Sequence, residues 1–181
     1  MDNSMELENK ILSGQNVFLI GFMGTGKSTV ADYLNKHYGM EVVEMDQLIA
    51  SEERMTISEI FQTHGEKYFR NLETNLLMRM QSKNNSVISC GGGAPMRENN
   101  VKEMKKSGKV VLLTARPETI LDRVKNNHDR PLLENNKTVE HIEELMQKRR
   151  EKYLEAADAV VATDGRSAAD ICRELLEVLK D

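Results

Sequence analysis

Eight consecutive residues, Gly21-Phe22-Met23-Gly24-Thr25-Gly26-Lys27-Ser28, restrict what this chain can become more than any other stretch. They match G-x-x-x-x-G-K-[ST] in full. The apolar run Val17-Phe18-Leu19-Ile20 precedes them and reads as a buried strand. A helical pattern follows from Thr29 to Tyr38, with Val30, Tyr33, Leu34 and His37 at helical spacing. Glycines between a strand and a helix let the backbone curl until successive N–H groups form an anion nest, and the helix N-terminus adds its positive dipole end. Lys27 supplies a point charge for β- and γ-phosphates, and Ser28 a hydroxyl for Mg²⁺. The motif therefore predicts a nucleoside triphosphate with Mg²⁺. It leaves open whether phosphate passes to water or to an acceptor.

The rest of the chain continues the alternation. Val42-Val43-Glu44, Ser86 to Cys90, Lys109 to Leu113 and Ala159 to Ala162 read as further short strands. Helical pattern runs through most of Asp46 to Gln81, with Phe69, Leu72, Leu76, Leu77 and Met80 on one face. It returns in Pro95 to Lys106, Pro117 to Lys125, Val139 to Ala156 and Ser167 to Lys180, where Ser167 suits an N-cap. Asn pairs at Asn84-Asn85, Asn99-Asn100, Asn126-Asn127 and Asn135-Asn136 read as turns or helix ends. The polar stretch 126–136, broken by Pro131, reads as a mobile loop. Strands alternating with helices imply a parallel sheet covered on both faces, with ligands beyond the C-terminal strand ends.

At 181 residues the chain has the length of one domain with a short appendage. Residues 1–15 are polar and acidic, read as a flexible tail, and resemble neither a signal nor a transit peptide. Net charge is −4, which disfavours nonspecific nucleic-acid binding. No apolar run approaches the roughly 20 residues of a membrane span. Cys90 and Cys172 form neither a disulfide framework nor a metal-ligand spacing. The expectation is a cytoplasmic protein that takes small molecules, without nucleic-acid or membrane partners.

Several segments after strands offer acceptor chemistry. Alternation along Glu44-Met45-Asp46 places both carboxylates on one side, one for metal and one for an acceptor hydroxyl; a solvated strand end with Asp46 as a helix N-cap is equally open. Arg70 and Glu73 can pair on one helix face, or Arg70 can present its planar fork to a substrate carboxylate. Gly91-Gly92-Gly93 leaves bare backbone after a strand, which favours close approach of a ligand. Arg130, in Arg130-Pro131-Leu132-Leu133, can stabilise charge over a phosphate site. Lys148-Arg149-Arg150 and Arg166 read equally well as solvated charges.

Together these segments resemble shikimate kinase, from about Asn16 to the C-terminus. GFMGTGKST, EMD, GEKYFRNLE, GGG, RPLL and KRREKY occur in that family's order. The resemblance implies an α/β fold: a three-layer P-loop kinase, nucleoside-monophosphate-kinase-like, with a five-stranded parallel sheet in the order 2-3-1-4-5 and a mobile lid at about 126–136, all within one domain spanning 16–181. It implies ATP-dependent phosphorylation of the 3-hydroxyl of shikimate, on the way to chorismate and aromatic amino acids, by a monomer. Carried over by position, Gly24, Thr25, Gly26, Lys27, Ser28 and Thr29 hold the ATP phosphates, and Ser28 the Mg²⁺. Arg130 is the lid arginine and Arg166 lies near the adenine. Asp46, Arg70, Arg149 and the turn Gly91, Gly92, Gly93 bind shikimate. Lys27, Asp46 and Arg130 carry the catalysis, with Asp46 as base. Glu44 stands where the family usually has Asp, and reaches Mg²⁺ through water. The alternatives are a related kinase, such as gluconate kinase, and a noncatalytic nucleotide-binding module.

Overall fold

The computed structural model describes residues 14–125, 133 and 136–180. Along the chain come β1 (Asn16–Ile20), α1 (Lys27–Tyr38), β2 (Glu41–Glu44), α2 (Met45–Glu53), α3 (Ile57–His64), α4 (Glu66–Met80) and β3 (Ser86–Ser89). A single 3-10 turn (Ala94–Met96) leads into α5 (Glu98–Ser107), β4 (Gly108–Thr114), α6 (Pro117–Val124), α7 (Val139–Ala156), β5 (Ala159–Ala162) and α8 (Ala168–Val178). The five strands are parallel and ordered β2-β3-β1-β4-β5, as the resemblance implies.

The unbroken apolar run of β1 follows from this placement. Side chains alternate across a sheet, so a central strand covered on both sides needs apolar residues at every position. Val17 and Leu19 pack with Val30 and Leu34 of α1 and Ile171 and Leu175 of α8. Phe18 and Ile20 face the opposite layer, with Ile49, Ile60, Leu76, Met104 and Ile120. Asn16, the polar first residue of β1, is fully buried. Its amide donates to the Lys83 carbonyl at 2.9 Å and accepts from the Ser86 N–H at 3.1 Å, tying the start of β1 to the entry of β3.

The structure adds local detail to the sequence reading. The helical pattern of Asp46 to Gln81 divides into three helices. Arg54, at φ +55°, closes α2. Thr56 then opens α3 with a reciprocal cap: its hydroxyl accepts from the Glu59 N–H at 3.1 Å, and its own N–H donates to Glu59 Oε2 at 2.7 Å. Gly65, at φ +85°, separates α3 from α4. Pro95 lies in the 3-10 turn, and extended backbone at Arg97 divides that turn from α5. Asn99-Asn100 marks a helix end rather than a turn: the pair lies in the first turn of α5, with Asn100 buried, donating to the Ala94 carbonyl at 2.9 Å and accepting from Thr74 Oγ1 at 2.7 Å. Asn85 does adopt the expected left-handed conformation, at φ +51°.

The tail, apart from Gly14 and Gln15, and the lid, with Arg130, lie outside the described residues, although Leu133 is buried against the core. Among the described residues no helix is long and apolar enough to cross a membrane.

Candidate active site

Parallel strands bring all their C-terminal ends to one pole. The loop after β1 forms the phosphate cradle. Gly24 and Gly26 adopt φ of +78° and +99°, which glycine reaches without steric cost. A Cβ on Gly24 would also press to 2.9 Å from Cγ1 of Val124 on α6. Gly26 is the N-cap of α1 and offers no side-chain cap, so no side chain shields the amides of the first turn. Ser28 and Thr29 are exposed on that turn. Lys27 folds back over the loop, donating to the Gly21 carbonyl at 2.7 Å and the Phe22 carbonyl at 3.0 Å. Thr25 is buried, and its hydroxyl donates to the Phe22 carbonyl at 2.8 Å, so it has only backbone to offer a phosphate.

Beyond β2 the geometry corrects the sequence argument. The strand ends at Glu44, and Asp46 lies in the first turn of α2. Strand alternation therefore does not pair their carboxylates. Asp46 lies beside Glu73 of α4 instead, in the same helical layer. A Cβ placed on Gly91, after β3, would sit 2.8 Å from Asp46 Oδ1 and 2.8 Å from Glu73 Oε1. The two acids thus converge on one glycine.

Glu73, on α4, is fully buried. Its Oε2 accepts from Arg70 Nη1 at 2.8 Å, while its Oε1 has no hydrogen bond from the described residues. Burial pushes the Glu73 carboxyl above the usual carboxylate range, and Asp46 adds to this, while Arg70 pulls in the opposite direction without cancelling the rise. Arg70 also reaches Glu66 Oε1 at 3.4 Å, and its guanidinium lies 5.3 Å from the centre of the Phe69 ring.

The other two glycines serve the same purpose. A Cβ on Gly92 would lie 3.0 Å from Arg149 Nη1, and one on Gly93 would collide with the Arg70 guanidinium. The approach expected of a ligand is made first by the chain's own side chains. Arg149 is half-buried on α7, whereas Lys148 and Arg150 are exposed. One turn on, Tyr153 donates to the Gly92 carbonyl at 2.7 Å. Burial pushes its phenol up, against the pull of Arg149, so it remains a donor at neutral pH. Gly93 has ordinary backbone angles, φ −91° and ψ −7°, so what an alanine there must displace is the Arg70 guanidinium, the far end of a flexible side chain. Gly93→Ala is expected to weaken acceptor binding about tenfold, the scale of one charged hydrogen bond, while MgADP affinity stays within about twofold. Titrating each ligand separately checks this.

Arg166 lies at the mouth of the loop after β5. Its guanidinium donates to the Ala162 carbonyl at 2.8 Å and pairs with Glu174, so it is clasped against α8. Sequence reading missed Tyr153 as a site residue, although its spacing of four from Arg149 puts both on one helix face. It saw Glu73 only as a pairing partner for Arg70.

The family model for shikimate kinase matches residues 23–180. The chain belongs to the shikimate kinase family. The shikimate kinase of Persephonella marina is 40% identical over 162 residues, 90% of this chain and 97% of that protein. The structure of shikimate kinase from Acinetobacter baumannii, in complex with shikimate, superimposes with a TM-score of 0.87 at 31% identity, covering 95% of this chain and 96% of that one. A gluconokinase from Sinorhizobium meliloti shares the fold at TM-score 0.56 and 18% identity, which carries no likeness of substrate. Shikimate kinase is thus favoured over both the gluconate and the noncatalytic readings. This family member is an enzyme that phosphorylates shikimate with ATP.

Proposed function

We propose that shikimate lies over Gly91, Gly92 and Gly93, with its 3-hydroxyl at Asp46 and its carboxylate between Arg70 and Arg149. The observation that carries this reading is the convergence of an acid pair and two guanidinium groups on three adjacent glycines. One carboxylate has lone pairs for two guanidinium groups.

The ATP phosphates take the amides of Gly24 to Thr29, with Lys27 swinging from the loop carbonyls onto the β- and γ-phosphates. In the transfer, the shikimate hydroxyl oxygen bonds to the γ-phosphorus as the bond to the β–γ bridging oxygen breaks. Asp46 receives the hydroxyl proton. Lys27, with Arg130 from the lid at 126–136, offsets the charge that spreads over the phosphoryl oxygens. Among the described residues no acid–histidine–cysteine cluster forms an all-protein metal cage. The exposed Ser28 hydroxyl would hold Mg²⁺ directly, and Glu44 would act on it through water. Mg²⁺ supplies charge neutralisation when bound. Arg166, held beside the loop after β5, flanks the adenine. Cys90 adjoins the site, but burial pushes its thiol far up, so it stays protonated and a covalent phosphoenzyme finds no thiolate there. We also infer a cytoplasmic protein, and a monomeric one, since the large exposed apolar residues are spread over four elements: Tyr68 and Met78 on α4, Leu154 on α7, Val160 on β5 and Val178 on α8.

A coupled ADP-release assay with shikimate, its methyl ester, quinate, gluconate and no acceptor tests the reading. Shikimate should be the best acceptor, and its methyl ester should lose about ten- to more than a hundredfold in kcat/KM. That penalty should shrink in Arg70→Ala and Arg149→Ala. An ester as good as the acid would sink the carboxylate clamp and point to a neutral polyol.

A further inference from the structure

Thr163, the residue immediately after β5, belongs to no ligand site described above. It is nevertheless 1% exposed, and its hydroxyl lies 2.8 Å from the Thr25 carbonyl in the phosphate cradle, 138 residues away in sequence. The hydroxyl also lies 3.2 Å from the Thr114 carbonyl at the end of β4. That carbonyl already accepts the Thr163 N–H at 2.9 Å. A hydroxyl has one proton, and the shorter contact to Thr25 is its better acceptor. Its oxygen is left to accept, and Arg123 Nη1 on α6 donates to it at 3.1 Å. The same nitrogen donates to the Gly24 carbonyl at 3.0 Å, while Nη2 donates to the Thr163 carbonyl at 3.2 Å. Two consecutive cradle carbonyls, Gly24 and Thr25, are therefore held by one linked pair, the buried Thr163 and the exposed Arg123.

In a trans peptide the N–H points opposite to the C=O. Holding the Thr25 carbonyl toward β5 turns the Gly26 N–H away from it. We infer that Thr163 is a positioning residue for phosphate binding: its hydroxyl fixes the Thr25–Gly26 peptide so that the Gly26 N–H is presented to the nucleotide. The effect is confined to the nucleotide half of the site, because among the described residues the hydrogen bonds of Thr163 run to Thr25, Thr114 and Arg123, none of them in the three-glycine turn or the helices bearing Asp46, Arg70 and Arg149. The inference rests on the reading of residues 24–29 as the phosphate cradle.

The test is calorimetric titration of MgADP, and separately of shikimate, into wild type, Thr163→Val and Thr163→Ser. Valine keeps the volume and removes the hydroxyl, leaving the Thr25 carbonyl and Arg123 without it. Thr163→Val should bind MgADP about tenfold more weakly and raise the KM for ATP in parallel, with shikimate affinity within about twofold of wild type. Thr163→Ser, which restores the hydroxyl and lacks only the methyl, should recover MgADP binding to within about threefold. If the valine variant does not fold, Thr163→Ala gives the same comparison without a second methyl to place. Unchanged MgADP affinity without the hydroxyl would overturn the inference. So would an equal loss for both ligands, which marks general loosening, or a serine variant as impaired as valine. A wild-type protein that does not bind MgADP would overturn the cradle reading itself, and this inference with it.

Discussion

Asp46→Asn is expected to leave a folded protein whose kcat is lower by about 10²–10⁴-fold, the usual contribution of a positioned general base. The substitution keeps the shape and one acceptor oxygen but removes the group that takes the hydroxyl proton. Asp46 sits in the first turn of α2, near the Gly91 backbone and opposite Glu73. Losing one of two neighbouring acids relieves repulsion, so the melting temperature should hold or rise. Shikimate binding should change far less than turnover, since the amide still hydrogen-bonds a ring hydroxyl. Single-turnover measurement at saturating ATP and shikimate separates the two. A variant with wild-type turnover would move the base elsewhere, with Glu73 the next acid in reach.

Lys27→Ala should cost about 10²–10³-fold in kcat/KM for ATP, the scale seen when one preorganised charge-stabilising donor is removed. In this structure the ammonium rests on the Gly21 and Phe22 carbonyls and makes no core contact that alanine would hollow out. Circular dichroism and melting should therefore be near wild type, while ADP release falls. Lys27→Arg keeps the charge with a bulkier, planar head, and should recover only part of the activity. Full activity in folded Lys27→Ala would remove the cradle from the mechanism.

The sheet was legible because its signals are local. A continuous apolar run such as Val17 to Ile20, ending at a glycine-rich loop, has few other homes than a central parallel strand. The breaks within 46–81 are also written locally, in Thr56 and Glu59 at capping-box spacing and in Gly65. Asp46 was singled out on a local geometry the structure does not have: the acid beside it at Gly91 is Glu73 of α4, not Glu44 two residues away. What stayed hidden depends on contacts between distant segments. Nothing near Asn100 announces a buried amide bridging Thr74 and Ala94. Nothing near Thr163 announces a hydroxyl on the Thr25 carbonyl. Gly91, Gly92 and Gly93 were singled out, yet the sequence does not say that protein side chains rather than a ligand claim the missing Cβ space.

The direction of the strands also decides how the molecule can be tethered. Gly14 precedes β1 and accepts from the Asn85 N–H just before β3, at the pole where strands begin. At the other end, α8 starts from the loop after β5 and runs back along β1 and α1 toward that same pole. Both ends of the described chain thus leave on the side away from the nucleotide and acceptor pockets. A fusion partner, purification handle or surface linker joined at either end would hold the enzyme with its working face outward, so that an immobilised layer keeps its pockets open to solution.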